Sequence, residues 1–194
     1  MNAIVEPTRH RISIDDFLRM DAAGLFAPDA RIELIEGDLI DMAPIGPPHG
    51  SLTNRLNRLL VRGAGDDAIV SVGNPLLLPP WSMPQPDFLL LRPRDDDYAS
   101  RHPGVEDTML AIEVADSSLG HDLRTKARVY AMHRVTEYWV VDVSGRRLHL
   151  HRDPSPAEGT WNTVVALEPP FRVAPAALPR LVVTSDDLWP PTTG

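Results

Sequence analysis

Residues 109–115 read Met-Leu-Ala-Ile-Glu-Val-Ala, and residues 137–142 read Glu-Tyr-Trp-Val-Val-Asp. Both are short, nearly continuous apolar runs, a pattern typical of strands that are buried on both faces of a sheet. Residues 122–134 lie between them and carry apolar residues at helical spacing. This order of strand, helix and strand predicts an α/β core.

Apolar patterns on either side extend this core along the chain. Residues 31–41 predict an N-terminal hairpin with Glu36-Gly37-Asp38 as its turn. The other predicted elements are helices at 14–22 and 49–62, short strands at 68–72, 75–78 and 87–91, an antiparallel extension at 146–151 and 161–167, and a last turn at 188–189. We therefore expect a flexible lead-in at 1–11, a single domain at 12–189 and a tail at 190–194.

The composition is that of an ordinary globular protein with an acidic balance. The 194 residues include no cysteine, which excludes disulfides and thiolate metal sites and is compatible with a reducing cytoplasm. No apolar run is long enough to span a membrane, and the N-terminus lacks a secretory pattern. We therefore expect a cytoplasmic protein without a membrane partner.

The net charge of -8 opposes the binding of nucleic acid, because phosphates normally require a basic surface. A local basic groove on an acidic protein removes this objection. The candidates for such a groove are Arg55, Arg58, Arg62, Arg92, Arg94, Arg101, Arg124, Arg128, Arg134, Arg146 and Arg147.

Two carboxylates stand out on the predicted strands. Side chains alternate along a strand, so Glu113 shares one face with Ala111 and Ala115, and these small residues leave space beside its carboxylate. An unpaired buried charge is unfavourable, so Glu113 needs a partner. Asp87 follows Pro86 at the start of an earlier strand and lies near Glu113 if the two strands pair. Oxygen ligands in this arrangement suit Mg²⁺ or Mn²⁺. Alone, however, Asp87 also fits an ordinary turn residue.

Lys126 lies on the predicted helix between the two buried strands. At about 100° per residue it falls beside the inward stripe of that helix and can reach the sheet at Glu113. Its ammonium group could orient a water molecule and stabilise a developing negative charge. Asp122 is one turn earlier and could pair with Lys126. The alternative is that Lys126 is a solvated surface lysine with Asp122 as its surface partner.

Several histidines and aromatic residues favour structural roles. His149 and His151 alternate along a predicted strand, but no third metal ligand is near in sequence, so an exposed strand face is expected. His121 and His133 are expected to face solvent or to be satisfied by neighbours. Tyr138 and Trp139 fit core packing better than base stacking, and residues 95–97 fit a solvated loop.

The chain resembles the Uma-type restriction endonuclease family, a bacterial group within the PD-(D/E)XK nuclease superfamily. The matching segments are residues 31–40, 47–49, 84–87, 111–119, 122–126 and 137–142, with the most specific part between Glu113 and Asp142. They occur in the family's order and cover nearly the whole chain. The resemblance implies a restriction-endonuclease-like mixed central β-sheet flanked by helices.

The resemblance also implies metal-dependent phosphodiester cleavage with Asp87, Glu113 and Lys126 as the motif residues. Glu33 and His49 match family positions and are accessory candidates, with structural roles in the hairpin and at a helix start as the alternatives. In the superfamily pattern the lysine stands two residues after the second acid. Here that position is Ala115, so the lysine role passes to Lys126.

The sequence thus favours a Mg²⁺- or Mn²⁺-dependent endonuclease that hydrolyses DNA, of the type II restriction kind. Asp87, Glu113 and the backbone carbonyl of Val114 are the expected metal ligands, Lys126 the residue that positions water, and Glu33, His49 and Asp122 the accessory residues. Two alternatives remain open: a non-cleaving binding or assembly module, for which a homodimer is one form, and a hydrolase of another phosphate ester.

Overall fold

A computed structural model describes residues 8–190 of the chain. The helices are α1 (Ile14–Ala22), α2 (Pro47–Ala64), α3 (Leu119–His121), α4 (Ala127–Met132) and α5 (Ser185–Leu188). The strands are β1 (Ile32–Ile35), β2 (Asp38–Asp41), β3 (Ile69–Val72), β4 (Phe88–Leu91), β5 (Thr108–Ala115), β6 (Glu137–Asp142), β7 (Arg147–Ser155), β8 (Thr160–Leu167), β9 (Arg172–Val173) and β10 (Val183–Thr184).

Six strands form a central mixed sheet in the order β3-β4-β5-β6-β7-β8. Only β5 and β6 are parallel, and every other neighbouring pair is antiparallel. The parallel pair needs a crossover connection, which the helical segment between them supplies. This arrangement confirms the predicted fold class, a mixed α/β sheet flanked by helices.

Each face of the sheet has its own apolar core, because residues of each central strand alternate between the two faces. On one face, Leu110 and Ile112 of β5 pack with Leu56 and Leu60 of α2. On the other, Ala111 and Ala115 of β5 pack with residues of α4 such as Tyr130. Glu113 belongs by alternation to the α4 face, as its sequence neighbours predicted.

The hairpin β1–β2 and α1 form a smaller third core, in which Leu34 packs with Phe17 and Met83. The hairpin is not part of the central sheet. It is tied to the segment that precedes β4, since the Met83 N–H donates to the Leu34 carbonyl at 2.7 Å. Alternation places Glu33 away from this core, where it approaches the helical crossover.

Two predicted elements differ from the structure. The strand predicted at 75–78 is wrong: Leu77 and Leu78 form only isolated bridges, although Leu76 and Leu78 are buried. Pro75, Pro79 and Pro80 bracket this apolar segment, and proline cannot donate to a strand ladder. The structure also has a pair of strands for which no element was predicted: β9 pairs with β10 in a two-stranded sheet.

The crossover helix also differs from its prediction. It begins at Leu119, three residues before the predicted start at 122, and residues Asp122–Lys126 are π-helical before α4 begins. At its other end, the helix stops at Met132, two residues before the predicted end at 134.

Parts of the predicted lead-in and tail, residues 1–7 and 191–194, lie outside the described residues. Within residues 8–190, no helix combines the length and the apolar character needed to cross a membrane.

Candidate active site

A cleft of about 250 Å³ opens at one end of the sheet, between the hairpin, the start of α2 and the crossover helix. Strand β4 begins and strand β5 ends at its floor. The lining includes all of the predicted site residues, namely Glu33, His49, Asp87, Glu113, Val114, Asp122 and Lys126. Residues that are up to 93 positions apart in the sequence therefore meet in one place.

Glu113 lies on the floor of the cleft and is 4% exposed. Its Oε1 accepts hydrogen bonds from the Lys126 ammonium and from the Tyr130 hydroxyl, each at 3.1 Å. Burial raises the pKa of Glu113 well above its ordinary value, because Lys126 offsets only part of the lost hydration and neighbouring acids add to the shift. The ionised form of Glu113 is therefore stabilised only by positive charge close to its carboxylate.

Lys126 supplies that charge and is itself 4% exposed, which excludes the alternative of a solvated surface lysine. Its Nζ lies 2.9 Å from Glu33 Oε2, 3.1 Å from Glu113 Oε1 and 3.9 Å from Asp122 Oδ1. Burial disfavours the ammonium form, but the three carboxylates outweigh it and raise the pKa of Lys126. Lys126 therefore stays protonated and acts as a donor and a positive charge.

The π-helical turn directs both Asp122 and Lys126 into the protein interior. Such turns are frequently found at functional sites. The Ser118 hydroxyl donates to Asp122 Oδ2 at 2.5 Å, and burial raises the pKa of the Asp122 carboxyl. Asp122 is thus a buried partner of Lys126 rather than a surface one.

Asp87 precedes β4 and closes the opposite side of the cleft floor. Its Oδ2 accepts the Val114 N–H at 2.8 Å, and its Oδ1 lies 3.4 Å from His49 Nε2. The hydrogen bond to Asp87 raises the pKa of His49. Asp87 and His49 therefore form a second polar pair beside the cluster of Glu33, Glu113 and Lys126.

The hairpin contributes Glu33, which is 3% exposed. Besides the ion pair with Lys126, its Oε2 accepts the Gln85 N–H at 3.3 Å. The carboxylate therefore connects the hairpin, the segment before β4 and the crossover helix.

The sequence did not single out two further residues of this region. The Tyr130 hydroxyl holds Glu113, and its position four residues after Lys126 was the available signal, since such pairs share a helix face. Asp116, directly after β5, also lines the cleft. The sequence also holds a signal for Lys126 that its spacing does not give: it is the only lysine in a chain with 18 arginines.

Two expectations about histidines are wrong. His121 lines the cleft, and its Nε2 is buried without a hydrogen-bond partner among residues 8–190. His151 is 4% exposed and contacts the rings of Tyr138 and Trp161, so the face of β7 that was expected to be exposed is covered. His133 is satisfied by the Val129 carbonyl at 2.9 Å, as expected.

The donor set of the cleft fits a hard divalent cation held by few protein ligands. Within residues 8–190, no group of three or more histidine or acidic side chains is arranged to hold a metal ion. Mg²⁺ commonly binds only one or two carboxylates and keeps several waters. Asp87 and Glu113 provide two carboxylates, and Glu113 Oε2 makes no hydrogen bond within the described part of the chain.

Comparisons with known proteins agree with this architecture. A crystal structure described as "a putative nuclease belonging to DUF820 from Anabaena variabilis" superposes with a TM-score of 0.72 at 17% identity, over 91% of this chain and 97% of that chain. This likeness shows a shared fold. A search of curated proteins gives no significant match. A family model, Uma2, described as "Putative restriction endonuclease", matches residues 14–185. The chain therefore belongs to the Uma2 family.

Proposed function

We propose that this protein is a metal-dependent endonuclease that hydrolyses DNA phosphodiester bonds with Mg²⁺ or Mn²⁺ in the cytoplasm. The observation that carries the proposal is the meeting of Asp87, Glu113 and Lys126 in one cleft. Membership of the Uma2 family supports nuclease activity in general. The metal requirement, the DNA substrate and the type II restriction character are the proposed parts.

The charges of the cleft support a bound cation. Six acidic side chains line the cleft, whereas Lys126 and Arg31 are its two permanently charged basic residues; the acids are Glu33, Asp41, Asp87, Glu113, Asp116 and Asp122. Buried carboxylates without compensation are strongly unfavourable. A divalent ion between Asp87 and Glu113 would offset part of this negative charge and would supply Lewis acid chemistry at a phosphoryl oxygen.

The backbone of Val114 adds a third oxygen on the same side. In an antiparallel pair, the N–H and C=O groups of one residue face the same neighbouring strand. The Val114 N–H donates to Asp87 Oδ2, so its carbonyl also faces the Asp87 side. Pro86, beside Asp87, has no N–H to offer this carbonyl.

Lys126 positions rather than deprotonates the attacking water. Its raised pKa keeps it an ammonium group, which donates hydrogen bonds and stabilises negative charge that develops on phosphate oxygens. Glu33 and Asp122 hold the ammonium from two further sides, and Tyr130 fixes the Glu113 carboxyl. These contacts restrict the orientation of both groups before substrate binds.

Cleavage of supercoiled plasmid DNA with Mg²⁺ or Mn²⁺ tests the proposal. We expect Glu113→Gln to lower the nicking rate at least about a hundredfold, the usual effect of removing one main electrostatic group. Glu158→Gln is the matched control, because Glu158 is exposed and lies outside the cleft. Equal inactivity of wild type and Glu113→Gln with both metals, across DNA substrates, would remove the support for an endonuclease.

The second candidate is a non-cleaving binding or assembly module of the same fold, for which a homodimer is one form. The replacement of the motif lysine by Ala115 and the lack of a three-side-chain metal group among residues 8–190 favour it. Calorimetric titration with Mn²⁺ separates the two candidates, since a module of this kind gives no heat that depends on Asp87. Light scattering gives the assembly state, and a panel of phosphate esters tests the third possibility, a different ester substrate.

A further inference from the structure

A second cavity, of about 490 Å³, lies between α2 and the segment that carries β9 and β10. We call it the arginine pocket. Its lining residues include Arg55, Arg58, Arg62, Arg172 and Arg180. It shares no lining residue with the cleft that holds Glu113. Five guanidinium groups around one cavity are unexpected in a chain with a net charge of -8.

These five arginines have no acidic partner among residues 8–190. The arginine ion pairs of that region are made by Arg9, Arg19, Arg94, Arg101, Arg128, Arg147 and Arg152. One acid, Asp187, lines the arginine pocket, but its Oδ2 accepts hydrogen bonds from the Thr184 N–H at 2.9 Å and the Thr184 hydroxyl at 2.6 Å. Five guanidinium groups against this one carboxylate leave the lining with a concentrated net positive charge.

The fold holds these arginines together from two distant parts of the sequence. Arg55, Arg58 and Arg62 follow one face of α2 at spacings of three and four residues, which places them on neighbouring turns. Arg172 and Arg180 come from the C-terminal segment, which is fixed against α2 by Leu181, 1% exposed in the core. A rigid helix and a packed segment thus converge on the same cavity.

The arginine pocket lies away from the candidate chemistry. Arg58 follows His49 by nine residues, and at about 100° per residue the two side chains project from opposite sides of α2. His49 contacts Asp87 in the cleft, whereas Arg58 is exposed. The same helix therefore separates an acidic cleft from a basic cavity.

We propose that the arginine pocket binds the phosphate backbone of a DNA strand at phosphates remote from the bond that is cut. This inference rests on the proposed endonuclease function and identifies the surface that attracts its substrate. Guanidinium groups form paired hydrogen bonds with phosphate oxygens. The acidic cleft repels a polyanion, so the attraction has to come from another surface. Five arginines exceed the charge of a single phosphate and suit several phosphates of one strand.

The test is fluorescence anisotropy of a labelled DNA duplex in EDTA, so that no cleavage takes place. The dissociation constant is measured at several salt concentrations for wild type, for Arg58→Gln/Arg62→Gln and for Arg134→Gln/Arg146→Gln. The last variant is the matched control. Arg134 and Arg146 were candidates for a basic groove from the sequence, but they lie outside the arginine pocket, are exposed and form no ion pair within residues 8–190. All four arginines are on the surface, so the folds should persist, which circular dichroism checks.

We expect Arg58→Gln/Arg62→Gln to weaken binding and to reduce the slope of log K against log salt by about 1.8, since each lost phosphate contact removes about 0.9. The control should keep the wild-type slope. Equal losses in both double variants, or no binding by any of the proteins, would overturn the inference.

Two further arms separate the remaining explanations. Titration with tripolyphosphate tests whether the pocket binds a small ligand. If wild type binds tripolyphosphate tightly and Arg58→Gln/Arg62→Gln does not, while both proteins bind DNA equally well, then the ligand of the pocket is a free polyphosphate and not a DNA strand. Plasmid cleavage by wild type is measured in parallel. If wild type cleaves DNA with metal but Arg58→Gln/Arg62→Gln keeps the wild-type salt slope, only the proposal for the arginine pocket is rejected. If the pocket binds DNA but wild type does not cleave it, only the proposed endonuclease activity is rejected.

Discussion

Lys126 is the residue on which the charge balance of the cleft depends. One ammonium group faces three buried carboxylates, from the hairpin, from β5 and from its own helix. Apart from the histidines, all other basic side chains of the chain are arginines. A compact ammonium group fits a small buried site between carboxylates better than a planar guanidinium does. The sequence contained this information in the uniqueness of the lysine, although not in its spacing from Glu113.

Lys126→Met should destabilise the fold by about 3–5 kcal/mol, because it leaves buried carboxylates without their counter-charge. Urea denaturation followed by circular dichroism measures this loss. The triple variant Lys126→Met/Glu113→Gln/Glu33→Gln removes two of the three stranded charges together with the lysine, leaves Asp122, and should recover part of the loss. A loss below about 1 kcal/mol for Lys126→Met would show that the ion pairs contribute little.

His151 should make stability depend on pH between about 6.5 and 4. Burial against Tyr138 and Trp161 lowers the pKa of His151 to about 4, and its Nδ1 has no partner among residues 8–190. The unfolded chain binds a proton near pH 6.5, well before the folded one does. The stabilisation is therefore complete above about pH 6.5 and declines as the pH falls towards 4, by roughly 3 kcal/mol.

The check is the free energy of unfolding at pH 7 and pH 4.5 for wild type, His151→Leu and His102→Gln. His151→Leu should lose much less stability on acidification than wild type does. His102 is exposed, so its variant should follow wild type. Parallel pH profiles of wild type and His151→Leu would contradict the assignment to His151.

At the scale of elements, the crossover helix shows how one extra residue in a turn can shape a site. The apolar stripe of residues 122–134 predicted a regular α-helix with Lys126 at the edge of its buried face. The π-helical turn Asp122–Lys126 instead buries both Asp122 and Lys126. Hydrophobic periodicity could not reveal this, because α-helical and π-helical turns expose similar apolar patterns over so few residues.

Deletion of Arg124 should convert this turn to regular α-helical spacing and place Asp122 three residues before Lys126 instead of four. The two side chains still share a helix face, but the Asp122 carboxylate changes its position relative to the Lys126 ammonium. We expect a folded protein with a lower plasmid-nicking rate, because the ammonium group loses the present position of one of its three carboxylates. Arg124→Ala is the control, since Arg124 is exposed and the substitution keeps the residue count. Similar activity of the deletion and Arg124→Ala would show that the π-helical turn is unimportant.

At the scale of the whole molecule, the sequence predicted the central sheet well and its surroundings less well. Short apolar runs identified β4, β5 and β6, because buried strands are nearly continuous in apolar residues. The strand predicted at 75–78 is wrong because its apolar residues are buried without ladder pairing. Nothing local indicated that Arg172 and Arg180 join Arg55, Arg58 and Arg62, since such meetings depend on tertiary packing.

The contacts inside the cleft likewise depend on tertiary packing, which the sequence does not show. Matching segments suggested Glu33 and His49 as accessory residues, and the structure brings both to it. Their partners could not be predicted, because the contacts of Glu33 with Lys126 and of His49 with Asp87 join segments far apart in sequence. The catalytic and metal-binding roles of these residues stay predictions that the variants above will test.

Mn²⁺ should stabilise the entire domain if it binds the folded cleft. A ligand that binds only the folded state at a hundred times its dissociation constant adds about 2.7 kcal/mol. Thermal unfolding with increasing Mn²⁺ should show a rise in the melting temperature for wild type and no rise for Asp87→Asn. A rise of equal size in both proteins would place the ion elsewhere.

The order in which the cleft receives its charged groups also bears on synthesis. Its floor and walls come from the hairpin, the start of α2, β4, β5 and the crossover helix, and Lys126 is the last of the charged groups to be made. Domains fold as units while the ribosome adds residues one by one. A growing chain therefore carries Glu33 and Glu113 without their common counter-charge, and it has no complete site until most of the domain has emerged. For the proposed endonuclease, nucleic acid close to the ribosome would therefore meet a chain whose site is not yet assembled.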